Sequence, residues 1–163
     1  MTRTDSKDAF KHEIIRKYFD TVYRLALSRT NNRDWADEVV QDVFLKYIKT
    51  DKMFSDEEHI KAWLITVTIN CTKSLFSSSW NKKHIPLTED IEFETRESND
   101  VYFAVAKLPV KYRTVIHLFY YEDMSVKQIA LCLGTKEATV KSLLHRARTL
   151  LKPLLGGRED YEF

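Results

Sequence analysis

The sequence is poor in the residues that punctuate a chain, with 3 glycines and 3 prolines among 163 residues. β-Sandwiches, barrels and glycine-rich phosphate loops all need frequent turn residues, so this scarcity excludes them and leaves helices. Cysteine is as rare. Cys71 and Cys132 lie inside apolar periodic segments, with no CxxC and no histidine at metal-ligand spacing. That argues against a disulfide framework and a zinc site, and marks both thiols as small buried hydrophobes. No stretch reaches the roughly 18 apolar residues of a membrane span, and the first residues, MTRTDSKDAFKHEII, lack the apolar core of a signal peptide. The expectation is a cytoplasmic protein with no direct membrane insertion. Net charge is the last shortage: Lys+Arg 26 against Asp+Glu 24 leaves +2, so any site for a polyanion must come from local segregation of charge.

Charge is indeed segregated. Residues 1–80 carry 13 basic and 12 acidic side chains, 81–100 carry 3 and 6, and 101–163 carry 10 and 6. Between Met124 and Lys152, Lys127, Lys136, Lys141, Arg146, Arg148 and Lys152 oppose Glu137 alone. The acidic stretch HIPLTEDIEFETRESND, His84 to Asp100, lacks sustained apolar periodicity and contains Pro86. It reads as a flexible linker between a domain of residues 1–83 and one of 101–163, the other reading being a solvated loop within one domain. The fold class is all-α, two small helical domains, for which 44% hydrophobic residues supply the cores.

Before the linker, Phe10, Ile14, Tyr18, Phe19, Val22, Leu25 and Ala26 recur at helical intervals. A second helix follows Asn31-Asn32, with Trp35, Val39, Val40, Val43, Phe44, Tyr47 and Ile48 on one side and Asp34, Asp37, Glu38, Gln41, Asp42 and Lys46 on the other. A third begins at Ser55, where Ser55-Asp56-Glu57-Glu58 fits a capping box, and includes Trp63 as a core residue. After the linker come a short helix from Val101 to Leu108 and a longer one from Val110 to Tyr121, restarted by Pro109.

The last two helices form a recognisable pair. Ser125-Val126-Lys127-Gln128 is a capping box, Gly134 stops the helix it opens, and a long helix runs from about Lys136 to Leu151, with Pro153 beyond. Ala130, Gly134 and Val140 supply the small residue, the turn and the buried anchor of a helix-turn-helix, the alternative being an antiparallel pair that binds nothing. On the second helix Thr139, Lys141, Ser142, His145, Arg146 and Arg148 are polar, suited to base edges and phosphates in a major groove. No nucleophile–base constellation, metal cluster or phosphate loop points to an enzyme, and the five histidines are scattered.

The run LPVKYRTVIHLFYYEDMSVKQIALCLGTKEATVKSLLHRARTLLKPLL, Leu108 to Leu155, resembles the C-terminal promoter-binding region of the extracytoplasmic-function sigma factors of bacterial RNA polymerase. WADEVVQDVFLKYI, Trp35 to Ile48, and HIKAWLITVTIN, His59 to Asn70, resemble that family's N-terminal region in matching order and spacing. The resemblance implies a non-enzymatic sigma factor that binds core polymerase through the clamp helices and flap, recognises a promoter and helps open it. A stand-alone helix-turn-helix repressor or activator is the alternative.

The resemblance also distributes roles. Asp37, Glu38, Gln41, Asp42 and Phe44 fall in the helix that docks on the polymerase. Lys52, Met53 and Phe54 fall in the loop from Lys49 to Asp56 that captures a flipped base of the minus-ten element, and Asn70 and Lys73 face promoter DNA. After Asn70 the chain reads CTKSLFSSSWNKK where the family commonly has an aspartate and arginines, and Lys82 and Lys83 stand in for that basic cluster. Lys141, Ser142, His145 and Arg146 match readers of the minus-thirty-five element, Lys136 and Thr139 contact its backbone, and Arg148 serves the backbone or a local ion pair. An anti-sigma protein is a further implied partner. No cofactor, metal or small-molecule substrate is implied.

Overall fold

The computed structural model describes residues 3–81 and 99–155. Lys82, Lys83 and linker residues 84–98 lie outside them. The chain divides into two compact units, Met1–Leu27 with Arg33–Ile85, and Ser28–Asn32 with Pro86–Phe163. Among the described residues every regular element is helical.

The first unit is built from α1 (Arg3–Thr30) as far as Leu27, α2 (Arg33–Lys49) and α3 (Glu57–Asn81). Ile14, Val22 and Ala26 of α1 meet Val39, Val40, Val43, Phe44 and Tyr47 of α2 and Ile60, Leu64 and Cys71 of α3 in one core, with Trp63 packed against it. At 100° per residue each set falls on one side of its helix, so each helix presents an apolar stripe. Phe10 and Phe19 continue the α1 spacing yet are 50% and 46% exposed. Phe19 sits at the edge of the stripe, stacked on Phe44 at 6.1 Å and on Tyr23 at 6.4 Å. The buried hydroxyls of Thr68 and Thr72 donate to the carbonyls of Leu64 (2.6 Å) and Ile69 (2.7 Å), so they cost the core little.

The start of α3 differs from the sequence expectation by one residue. Asp56, not Ser55, is the cap, its Oδ1 accepting the His59 N–H at 2.8 Å. A carboxylate serves the positive helix end better than a hydroxyl. The Ser55 N–H donates instead to His59 Nδ1 at 3.2 Å. Glu57 in the first turn ties back to α1: Lys17 Nζ lies 2.5 Å from its Oε1, and the Tyr18 hydroxyl donates to the same oxygen at 3.1 Å. The Lys17 and Tyr18 hydrogen bonds hold the Glu57 carboxyl below its ordinary range.

The second unit contains α4 (Asn99–Ala106), α5 (Val110–Ile116), α6 (Val126–Leu133) and α7 (Glu137–Leu154). α5 and α6 both pack on α7. Val115, Ile116, Leu118, Ile129, Ala130, Val140, Leu144, Ala147 and Leu151 are buried. The helix expected to run unbroken from Val110 to Tyr121 widens at His117–Tyr121 into a π turn, closed by the Glu122 N–H donating to the His117 carbonyl at 3.2 Å. Apolar spacing does not reveal an inserted residue of this kind.

Candidate nucleic-acid and polymerase interfaces

The helix-turn-helix is held by two local devices. At the start of α6 the Ser125 hydroxyl accepts the Gln128 N–H (3.1 Å) and the Gln128 amide oxygen accepts the Ser125 N–H (2.9 Å), the reciprocal pair of a capping box. At its end Gly134 takes φ +64°, and the N–H groups of Gly134 and Thr135 return to the carbonyls of Leu131 (3.4 Å) and Ala130 (3.0 Å). That is a Schellman turn, which satisfies the last carbonyls and re-aims the chain into α7.

α7 buries Val140, Leu144, Ala147 and Leu151 and exposes Thr139, Lys141, Ser142, His145 and Arg146. Lys136 is exposed at its N-cap, and no side chain caps that helix end. A positive helix terminus beside a lysine suits a phosphate. Arg148 is placed differently from these. Half-buried, it donates Nε–H to the Tyr120 hydroxyl at 2.8 Å, with its guanidinium over the Phe119 and Tyr120 rings at 5.8 and 5.7 Å. These contacts are with the aromatic side chains of the π turn.

In the first unit α2 exposes Asp37, Glu38, Gln41 and Asp42 together. Phe44, grouped with them by resemblance, is 6% exposed and stacks on Phe19. At 100° per residue it falls on the buried side with Val40 and Val43. Leu45 and Ile48, 50% and 53% exposed, are the apolar side chains that α2 turns outward. For Ile48 this reverses the expectation from spacing. Leu45 stands off the buried stripe, a signal that could have marked it as a surface contact.

The loop between α2 and α3 borders a cavity of about 350 Å³, lined by Lys52, Met53 and Phe54 and, from α1, by Lys7, Phe10 and Lys11. Its volume is within the roughly 300–1,000 Å³ usual for small-ligand pockets. Met53 is 88% exposed, whereas Phe54 is half-buried in an aromatic cluster with Tyr47 (6.3 Å), Trp63 (5.7 Å) and His59 (5.2 Å). Asn70 and Lys73 are exposed on α3 but do not line the cavity. Asn70 lies roughly 20 Å further along the helix than Glu57, at 1.5 Å per residue. The contribution of α1 was not apparent in the sequence.

Comparison with known proteins decides the family. Residues 14–81 match Sigma-70 region 2 and residues 98–151 match Sigma-70, region 4. RNA polymerase sigma factor SigV of Bacillus subtilis is 31% identical over 136 residues, covering 80% of this chain and 81% of SigV. The chain belongs to the extracytoplasmic-function sigma factors. A second relative, ECF RNA polymerase sigma factor SigM of Bacillus subtilis, is 28% identical, covering 87% of this chain and 93% of SigM. The fold resembles that of the sigma factor RpoE co-crystallised with the anti-sigma factor NepR from Bartonella quintana, with a TM-score of 0.74 and 24% identity over 94% of this chain and 99% of that one.

As a sigma factor the protein directs promoter-specific initiation by RNA polymerase. Matches to both region 2 and region 4, in order, give no support to a stand-alone helix-turn-helix regulator. Among the described residues no helix is long and apolar enough to cross a membrane.

Proposed function

We propose a division of labour between two promoter-binding domains, residues 1–83 and 101–163. In the second, Lys141, Ser142, His145 and Arg146 read base edges of the minus-thirty-five element, while Lys136, Thr139 and the open N-terminus of α7 hold its phosphates. In the first, Asp37, Glu38, Gln41 and Asp42, flanked by Leu45 and Ile48, dock on the clamp helices. Lys52, Met53 and Phe54 take a base flipped from the minus-ten element into the cavity beside them. Asn70, Lys73, Lys82 and Lys83 follow the single strand. Aromatic and apolar walls with lysines at the rim suit an unstacked base and its phosphates.

The protein acts by binding alone, the chemistry being the polymerase's, in the cytoplasm where that polymerase works. RpoE was co-crystallised with an anti-sigma factor, NepR; for this chain the proposed further partner is an anti-sigma protein that covers the polymerase-docking face. The observation that carries this reading is the unbroken exposed polar set on α7 above the Gly134 turn. Run-off transcription with purified core polymerase tests it. Promoter-dependent transcripts are expected, and yields no greater than with core alone would refute it.

A further inference from the structure

We infer that Lys11, on α1, is a positioning residue for capture of the flipped base, an inference that rests on the base-capturing role proposed for the loop after α2. The Lys11 ammonium donates to three backbone carbonyls: Tyr47 at 3.0 Å, Ile48 at 2.9 Å and Thr50 at 3.0 Å. It also lies 5.4 Å from the centroid of the Tyr47 ring. An ammonium has three protons, and all three are used here.

Two of the carbonyls, those of Tyr47 and Ile48, are among those a helix leaves open, and Thr50 is the residue just past α2. The last four carbonyls of α2 have no acceptor role within the helix, and only the Lys46 carbonyl is taken by the chain itself, from the Thr50 N–H at 3.0 Å. The sequence beyond, Lys49-Thr50-Asp51-Lys52-Met53, holds no glycine or asparagine to turn the chain through a left-handed residue. The exit direction of the loop is instead set from a helix 36 to 39 residues earlier. The next link is local, the Thr50 hydroxyl accepting the Lys52 N–H at 3.2 Å. The far end is fixed by Phe54 among Tyr47, His59 and Trp63. With both ends held, the backbone that carries Lys52 and Met53 along the cavity has less freedom to lose on binding. Pre-ordering of this kind raises affinity without adding a contact. Lys11 itself, its protons committed to carbonyls, touches no base.

The test uses the full chain assembled with core polymerase and the non-template strand of a promoter it transcribes, supplied as a single-stranded oligonucleotide. A second series carries an abasic site at each position in turn. Loss of the captured base is expected to weaken wild-type binding about tenfold, in line with one base stack. Lys11→Met keeps the aliphatic stem and removes the donors. It is expected to bind the intact strand about as weakly as the abasic one, with Lys11→Arg restoring part of the discrimination and duplex minus-thirty-five binding unchanged in both. Full discrimination retained by Lys11→Met would overturn the inference. So would equal weakening on intact and abasic strands with a shallower salt dependence, the behaviour of a phosphate contact. If no abasic position affects wild-type binding, the base-capture role itself fails, and the inference about Lys11 with it, an outcome separable from a defect confined to the variant.

Discussion

Arg148 and Tyr120 are joined by a 2.8 Å hydrogen bond across 28 residues, from the guanidinium of α7 to a phenol of the π turn. The same charge lies over the Phe119 ring, itself edge-on to Tyr120 at 4.9 Å. An arginine so held fixes one side of α7 against the π turn. Tyr120→Phe is expected to destabilise the second unit by about 1 kcal/mol, the usual worth of such a bond, and Arg148→Ala by more, since the cation–π contact goes too. Denaturation followed by circular dichroism measures both. Arg148→Gln, which removes the charge, should leave the salt dependence of promoter binding unaltered, whereas a slope lower by about 1 would indicate a phosphate contact.

Gly134 has open space where a Cβ would stand, so the cost of a side chain there is purely that of φ +64°. Gly134→Ala should cost about 1–2 kcal/mol and Gly134→Asn distinctly less, because asparagine tolerates the left-handed region. Equal losses for the two would mean that the turn is not what decides.

Arg146 is exposed on α7, one turn beyond Ser142. Arg146→Ala is expected to weaken promoter binding by about 1–3 kcal/mol and to relax sequence preference at one upstream base pair. Competition against randomised upstream elements reads this out, and a uniform loss on all sequences would reassign the residue to the backbone.

The outward face of α2 can be altered without touching the core, since Asp37, Asp42 and Leu45 are all exposed. Reversing charge at Asp37 and Asp42 should reduce affinity for core polymerase at least tenfold with the melting temperature unchanged, and Leu45→Ser should weaken it further. Unaltered affinity in a polymerase pull-down titration would reject this docking face.

The Lys17–Glu57 pair predicts a pH window. Glu57 is held below its ordinary value of 4.5, first by the hydrogen bond from Lys17, so its contribution is complete above 4.5 and fades as pH falls through the depressed value. Lys17 is raised above 10.5 by the same bond, so its contribution is complete below 10.5 and fades as pH rises beyond. Glu57→Gln should therefore lower the melting temperature slightly and evenly between those limits, and the difference from wild type should vanish in strong acid. Because both groups are exposed, added salt should shrink it.

Features written within a few residues were legible in the sequence: the Ser125–Gln128 box, the Gly134 turn and the buried stripe of α7 each follow from local spacing. The polar set from Lys136 to Arg146 followed from that stripe. What escaped is long-range or depends on phase. Lys11 serves carbonyls that no pattern near Lys11 announces. The π turn at His117–Tyr121 shifts register without any change in apolar content. Ile48 sits near the border between faces of α2, where one step of 100° decides burial, and it is exposed although its spacing placed it with the apolar side. The packing of Phe54 on Trp63, a turn and more into α3, is likewise made only by the fold.

Each unit holds one cysteine in its interior, Cys71 at 5% exposure and Cys132 at 6%. Burial raises the Cys71 thiol above its ordinary range, against a counteracting lysine, Lys46 Nζ, 3.5 Å from the sulfur. A thiol so enclosed reacts when its surroundings open. The molecule thus carries two intrinsic probes, one per unit, and alkylation followed by mass spectrometry would time the opening of each separately, in the unmodified chain and while it is bound to polymerase.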